Sequence, residues 1–241
     1  MGNSLFICKQ FIINQDHCAH KLGTDSILLG SWVCVDGVKK IFDIGVGCGI
    51  LSLMMAQRNK EAKIFGVEID KDSFEQALDN YKRSPWSDRI SVINTSLQKF
   101  GKNKYKYDLI ITNPPYFVNS LKSPNEKRSI ARHSHTLTLR EIIHFCDTHF
   151  EPNGRLALII PISVFHYFKD ILAIYSWYIY RIAKVFPNYE KPAHRVLIEC
   201  GKYKAGFEYE EITIETNKRH VYTKQYAELT KDFYLNMMVE K

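Results

Sequence analysis

At 241 residues, with 45% hydrophobic and 24% charged residues, the chain has an ordinary globular composition and enough length for one well-buried α/β domain, which excludes collagen-like, disordered and multi-span membrane classes. Its formal net charge of +7, from 33 Lys plus Arg against 26 Asp plus Glu, suits a polyanionic partner such as nucleic acid, although a basic balance alone also fits a soluble protein without one. Six cysteines form no C-x-x-C pair and have no histidine nearby at zinc spacing, so reduced, mostly buried thiols are expected, with no bound metal and no disulfide framework.

The apolar run Ser4 to Cys8 is short and ended by Lys9, no run approaches the roughly 18 residues of a membrane helix, and Phe6 stands where a myristoylation signal wants Ser or Thr; a cytoplasmic protein is expected. Lys21-Leu22-Gly23-Thr24-Asp25-Ser26 precedes a helix-like stretch, Ile27 to Trp32, which Thr24 or Asp25 can cap. Thr24 is also placed to close over one end of a bound ligand. From Lys40 to Ala183 the chain then alternates strand-like and helix-like stretches, the pattern of a parallel sheet covered on both faces.

Ile41 to Ile44 reads as a strand running into the glycine turn Gly45-Val46-Gly47-Cys48-Gly49, and Ile50, Leu51, Leu53, Met54 and Ala56 recur at helical spacing. Ala62 to Ile69 makes the second strand, Asp72 to Lys82 a helix, Ile90 to Ile93 the third strand and Asp108 to Thr112 the fourth. Thr138 to Phe150 reads as a helix, Pro152-Asn153-Gly154 as a turn, and Arg155 to Ile160 as the fifth strand. Ser163 to Tyr175 follows as a helix, and Tyr178 to Phe186 with Arg195 to Cys200 as an antiparallel ending. In the tail from Lys202 to Lys241, Tyr209 to Ile214 alternates and Thr223 to Met237 reads as a helix. The expected organisation is one domain, with 1–39 covering a cofactor, 40–201 forming the catalytic core and 202–241 a C-terminal extension.

Two motifs carry chemistry. Asp43-Ile44-Gly45-Val46-Gly47-Cys48-Gly49 lies between strand and helix, where open α/β sheets bind ligands. A dinucleotide fingerprint would want Gly at residue 50, which is Ile50, and an acid ahead of a G-x-G-x-G turn favours a ligand with a cationic amino-acid end. Glu68 ends the second strand, 23 residues after Gly45, at the distance that suits both hydroxyls of a ribose. S-adenosylmethionine has both features.

The second motif is Asn113-Pro114-Pro115-Tyr116, directly after the fourth strand. The Asn113 side-chain oxygen and the Pro114 carbonyl can hold both N–H groups of a planar amine, Pro115 stiffens the turn, and Tyr116 offers a stacking face. Downstream, Phe117 to Thr136 lacks periodicity and is too long for a plain connection, so it reads as a functional loop. Its Lys122, Lys127, Arg128, Arg132 and His133 face a single acid, Glu126, and with Phe117 they are candidates to grip an extruded base and its phosphates. Such binding should weaken steeply with added salt.

Together D-x-G-x-G-x-G, V-E and N-P-P-Y resemble the class I, amino-directed S-adenosylmethionine-dependent methyltransferases. Phe11 to Trp32, Ser84-Pro85-Trp86, Ala131-Arg132, His194-Arg195-Val196-Leu197 and Ala227 to Met237 extend the likeness across nearly the whole chain to the bacterial tRNA1(Val) adenine-37 N6-methyltransferases. The resemblance implies a Rossmann-like fold with a seven-stranded, mostly parallel sheet, a monomer, and methylation of the adenine 3′ of a tRNA anticodon. It also implies cofactor contacts from Thr24, Asp43, Gly45, Gly47, Gly49, Glu68, Ser96, Leu97 and Asn113, and an RNA contact from Arg195. Where the family often has Asp to meet the cofactor's adenine amine, this chain has Ser96. Rivals are glutamine methylation of release factors, which generally needs a helical N-terminal domain where about forty residues precede Asp43, adenine methylation of rRNA or DNA, and a nucleic-acid-binding module with an inactive core.

Overall fold

Short β-branched and aliphatic runs, each long enough to be buried on both faces, build the centre of this fold. The computed structural model describes residues 4–18, 21–115 and 137–240. Its main sheet holds β3 (Lys40–Ile44), β4 (Lys63–Glu68), β5 (Ile90–Asn94), β6 (Tyr107–Thr112), β7 (Phe150–Pro161), β8 (Tyr178–Phe186), β9 (Arg195–Gly201) and β10 (Glu208–Thr213), in the order β10-β8-β9-β7-β6-β3-β4-β5. Only β9 runs against its neighbours, pairing antiparallel with β7 and β8.

The eighth strand corrects the expected seven. β10 comes from the alternating stretch in the tail and adds to the edge of the sheet parallel to β8, with Ile212 opposite Val185. Alternation marked it as a strand, but a local pattern carries no information about which edge it joins.

Period-two alternation divides the side chains between two apolar layers. Ile41, Leu109, Ile111, Ala157 and Ile159 face one layer, and Phe42, Ile110, Leu156, Leu158 and Ile160 the other. The first layer is covered by α1 (Thr24–Trp32), α2 (Ile50–Arg58), α3 (Lys71–Lys82) and α7 (Lys224–Thr230), together with the hairpin β1 (Leu5–Ile7) and β2 (Ile12–Asn14). The second is covered by α4 (Leu97–Phe100), α5 (Leu139–His149) and α6 (Phe165–Ile174).

Side chains cap the first N–H groups of α3, α4, α5 and α7, whereas α1, α2 and α6 have no side-chain cap. Thr138 and Glu141 form a reciprocal capping box on α5, and the Asp70 carboxylate accepts from Ser73 N–H at 2.8 Å on α3. In α1 the cap position is Gly23; Thr24 and Asp25 lie inside the helix, so neither caps it. Tertiary contacts hold α1 instead. Its Gly30 sits against Met54, where an added Cβ would come within 2.5 Å of the sulfur, and Arg58 donates to the Gly30 and Val33 carbonyls at 2.8 and 2.7 Å.

Two more expectations are corrected. Pro152-Asn153-Gly154 is not a turn between helix and strand but an irregular part of β7, where the register shifts between Phe150 opposite Tyr107 and Arg155 opposite Leu109. The residues that local chemistry marks as a turn are absorbed as a bulge because the strand pairs on both sides of them. The tail helix is shorter than expected and ends at Thr230. Beyond it the chain docks on the N-terminal hairpin, with Lys9 N–H donating to the Phe233 carbonyl at 3.0 Å and Tyr234 meeting the edge of Phe6 at 5.9 Å.

Phe233 is 1% exposed and belongs to the same apolar layer as Ile27, Leu53 and Ile159. Phe233→Ala should therefore cost about 3–5 kcal/mol in urea unfolding, as truncation of a core aromatic does. A loss below about 1 kcal/mol would mean that the tail stands outside the cooperative core.

Candidate active site

The strand order reverses at β3, which lies between β4 and β6, and open sheets bind ligands at such a point, beyond the carboxyl ends of the strands. Here the segments following β3, β4, β5 and β6 border one cavity of about 600 Å³, closed on another side by Lys21 to Gly23 and by Asp25 and Ser26. A side chain strengthens the β3–β6 junction. Thr112, fully buried, donates from Oγ1 to the Ile44 carbonyl at 2.9 Å, continuing a ladder whose last paired residues are Asp43 and Ile111.

The glycine turn is stitched to β4 by Gly45 and Val46, whose N–H groups donate to the Val67 carbonyl at 3.0 and 3.1 Å. Gly45, Gly47 and Gly49 all adopt positive φ, of 73°, 56° and 89°, where a side chain is strained. Their surroundings differ. Apart from its chain neighbours, an added Cβ at Gly45 or Gly47 would meet no atom of the described residues within 4 Å, and both glycines border the cavity; at Gly49 it would come within 2.5 Å of the Tyr81 ring. The first two glycines keep the cavity side open, whereas Gly49 is a packing glycine.

Glu68 presents a pre-oriented carboxylate. Oε2 accepts from Gly47 N–H at 2.7 Å and Oε1 from Asp70 N–H at 2.8 Å, which leaves each oxygen further acceptor capacity on the cavity side. Beside it Ile69 is 57% exposed and borders the same cavity, an apolar surface for a flat ring.

Asp43 has a different environment. It is completely buried, accepts from Ser52 Oγ at 2.7 Å through Oδ2, and has no hydrogen-bond partner for Oδ1 among the described residues. Burial pushes its carboxyl up to about 7; the Glu68 charge adds to this and the Ser52 hydroxyl opposes it. The same burial, reinforced by Asp43, raises the Tyr81 phenol.

After β6, Asn113 donates from Nδ2 to Ser26 Oγ at 3.0 Å, and Pro114 is buried while Pro115 is exposed. Two open glycines, a fixed carboxylate beside an exposed isoleucine, and an amide across from them fit a ligand with an amino-acid end, a ribose and a purine.

Residues 17–171 match the family model described as the methyltransferase small domain. Over 98% of its length the chain is 41% identical to the tRNA1(Val) (adenine(37)-N6)-methyltransferase of Trichodesmium erythraeum, covering 99% of that protein, and 38% identical to the protein of the same name in Bacteroides fragilis, covering 100% of it. The chain belongs to this methyltransferase family. Among solved structures, a predicted O-methyltransferase from Agrobacterium tumefaciens shares the fold at a TM-score of 0.67 and 19% identity, over 90% of this chain and 100% of that one. M. capricolum TrmK with S-adenosyl-homocysteine shares it at 0.53 and 17% identity, over 78% and 71%.

Relative to the methyltransferase motifs, the structure brings Gly45, Gly47, Glu68, Ser96, Leu97, Asn113, Pro114 and Pro115 to one cavity. Asp43 and Gly49 lie behind it and shape the turn. Thr24 is exposed and does not border the cavity, because it begins the uncapped α1 while Asp25 and Ser26 point to the site. Ser96 also caps α4, accepting from Lys99 N–H at 3.3 Å, so one lone pair of its hydroxyl is already engaged. Arg195 donates from Nε to Asp25 at 2.8 Å. Tyr116, Phe117, Lys122, Lys127, Arg128, Arg132 and His133 lie outside the described residues. Ser26 and Ile69 were missed by sequence reasoning; the available signals were a hydroxyl at the start of the apolar stretch Ile27 to Leu29 and an isoleucine directly after the acid.

A raised acid pKa in the fold means that the native state keeps a proton the unfolded chain releases near pH 4, so this contribution to stability is full below about pH 4 and is lost as pH rises to about 7. Asp43→Asn should remove it. Relative to wild type the variant should gain unfolding free energy steadily between pH 4 and 7 in parallel denaturation series; a constant difference across that range would show that Asp43 titrates as an exposed carboxyl.

Proposed function

We propose that this protein transfers the methyl group of S-adenosylmethionine to N6 of adenine 37 in tRNA1(Val), acting as a cytoplasmic monomer on the anticodon loop. The observation that supports it most is the position of Asn113, at the end of β6 and across one cavity from the glycine turn and Glu68, in a chain related over its whole length to enzymes named for that reaction. The absence of a long apolar helix among the described residues agrees with action away from a membrane.

The cofactor supplies an electrophilic methyl group on a sulfonium sulfur. Gly45 and Gly47 would give its amino-acid end a close approach to backbone, Glu68 would accept from the ribose hydroxyls, and Ile69 with Ser96 and Leu97 would border the adenine. At the other end of the cavity, Asn113 Oδ1 and the Pro114 carbonyl accept from the two N–H groups of the target amine. An aromatic amine is a poor nucleophile because its lone pair is delocalised into the ring. Two acceptors out of the ring plane draw the nitrogen toward tetrahedral geometry and aim that lone pair at the methyl group. The methylated nitrogen is strongly acidic while it carries its extra proton, and the proton leaves to solvent without a dedicated base.

In the same reading the target adenine is extruded from its loop, stacks on Tyr116 with Phe117 nearby, and has its flanking phosphates held by Lys122, Lys127, Arg128, Arg132 and His133. Arg195 contributes at the rim next to Asp25. Glutamine methylation would use the same Asn113 geometry, so the substrate must be tested directly.

Incubation with labelled S-adenosylmethionine and separate pools of tRNA, rRNA, DNA and release factor should place label only in tRNA, as N6-methyladenosine. Asn113→Ala should lower that rate by about a hundred- to a thousandfold, the scale for loss of a site hydrogen-bonding group, with cofactor affinity retained. Label in release factor with none in tRNA would overturn the proposal.

A further inference from the structure

A carboxamide has two nearly isosteric ends, and only its oxygen can accept from an amine. If the Asn113 side chain turned over, its NH₂ would face the substrate's own NH₂, donor against donor. The acceptor role of Asn113 therefore depends on a partner that holds the nitrogen end in place. In the structure that group is Ser26, whose Oγ accepts from Asn113 Nδ2 at 3.0 Å across a sequence separation of 87 residues.

Ser26 is suited to the task. It is 8% exposed, so water competes little for its lone pairs, and it lies on the first turn of α1 rather than on a loop. That turn is anchored from the far side of the sheet order: Asp25 accepts from Arg195 Nε, at the start of β9, at 2.8 Å, with both side chains largely screened from solvent. Farther along, Arg58 holds the Gly30 and Val33 carbonyls at the C-terminal end of α1. With no side-chain cap of its own, α1 takes its position from these contacts and passes it to Asn113.

We propose that Ser26 is a positioning residue for the methyl transfer: by accepting from Nδ2, its hydroxyl oxygen holds the Asn113 side chain in place with Oδ1 toward the target amine. The proposal rests on the amine-acceptor reading of Asn113 given above and adds the element that enforces it. Ser26 acts through Asn113, and the Asp25–Arg195 pair acts through Ser26 by fixing the helix turn.

A double-substitution cycle separates this role from ordinary packing. Ser26→Ala should lower kcat about ten- to a hundredfold, the scale of a small misplacement of a reacting group, with KM for S-adenosylmethionine and thermal midpoint close to wild type. Ser26→Thr, which keeps the hydroxyl, should recover most of the rate. In an Asn113→Ala background, Ser26→Ala should cause no further loss. A full, additive loss there, or a loss appearing mainly in cofactor affinity, would overturn the proposal.

A second readout needs no substrate. With ¹⁵N-labelled asparagine, the Asn113 side-chain NH₂ should be protected from solvent exchange in wild type and in Ser26→Thr and lose that protection in Ser26→Ala; unchanged protection would also overturn the proposal. Wild-type protein that shows this protection yet leaves tRNA unmethylated would refute the substrate reading and keep Ser26 as the group that orients Asn113.

Discussion

The active-site geometry depends on how β6 is held against β3. Backbone pairing between them ends at Asp43 and Ile111, and the buried hydrogen bond from Thr112 Oγ1 to the Ile44 carbonyl carries the alignment one residue further. The next residues are Gly45 on one strand and Asn113 on the other. The distance between the glycine turn and Asn113 is therefore set inside the sheet, where water cannot compete and both strands are paired on their other sides, β3 with β4 and β6 with β7. Methyl transfer needs its reacting atoms held in line, and a rigid strand pair provides this better than loops could.

Two acids near this junction serve different ends because their surroundings differ. Glu68 meets two backbone N–H groups and borders the cavity, so its oxygens are aimed and remain usable. Asp43 is sealed behind the turn with a single hydroxyl donor, and burial holds its carboxyl at about 7. Its Oδ1 and the Tyr81 hydroxyl are both buried without a hydrogen-bond partner among the described residues. The acid ahead of the glycines thus shapes the turn from beneath, and Glu68 presents its carboxylate to the cavity.

Much of this was legible in the sequence because it is local. Period-two runs gave the strands, the glycine turn and Glu68 stood at a readable spacing, and Asn113-Pro114-Pro115 sat directly after an apolar strand. What was not legible depends on partners distant in the chain. Nothing near Ser26 announces Asn113, nothing near Asp25 announces Arg195, and Gly49 looks like its neighbouring glycines until Tyr81 is placed against it. The bulge at Pro152 to Gly154, the early end of α7 and the edge strand β10 likewise follow from pairing and docking that overrode local preference. Family resemblance supports the proposed substrate, which the Asn113 geometry alone does not distinguish from a glutamine amide.

The central claim is that this cavity methylates one exocyclic amine of one extruded adenine. It is tested most directly by mass spectrometry of nuclease fragments from tRNA1(Val) transcripts bearing adenine or guanine at position 37 after incubation with the protein and S-adenosylmethionine. The account predicts N6-methyladenosine in the fragment containing adenine 37 and no methylation of the guanine 37 transcript. Methyl incorporation into both transcripts at similar rates would contradict it.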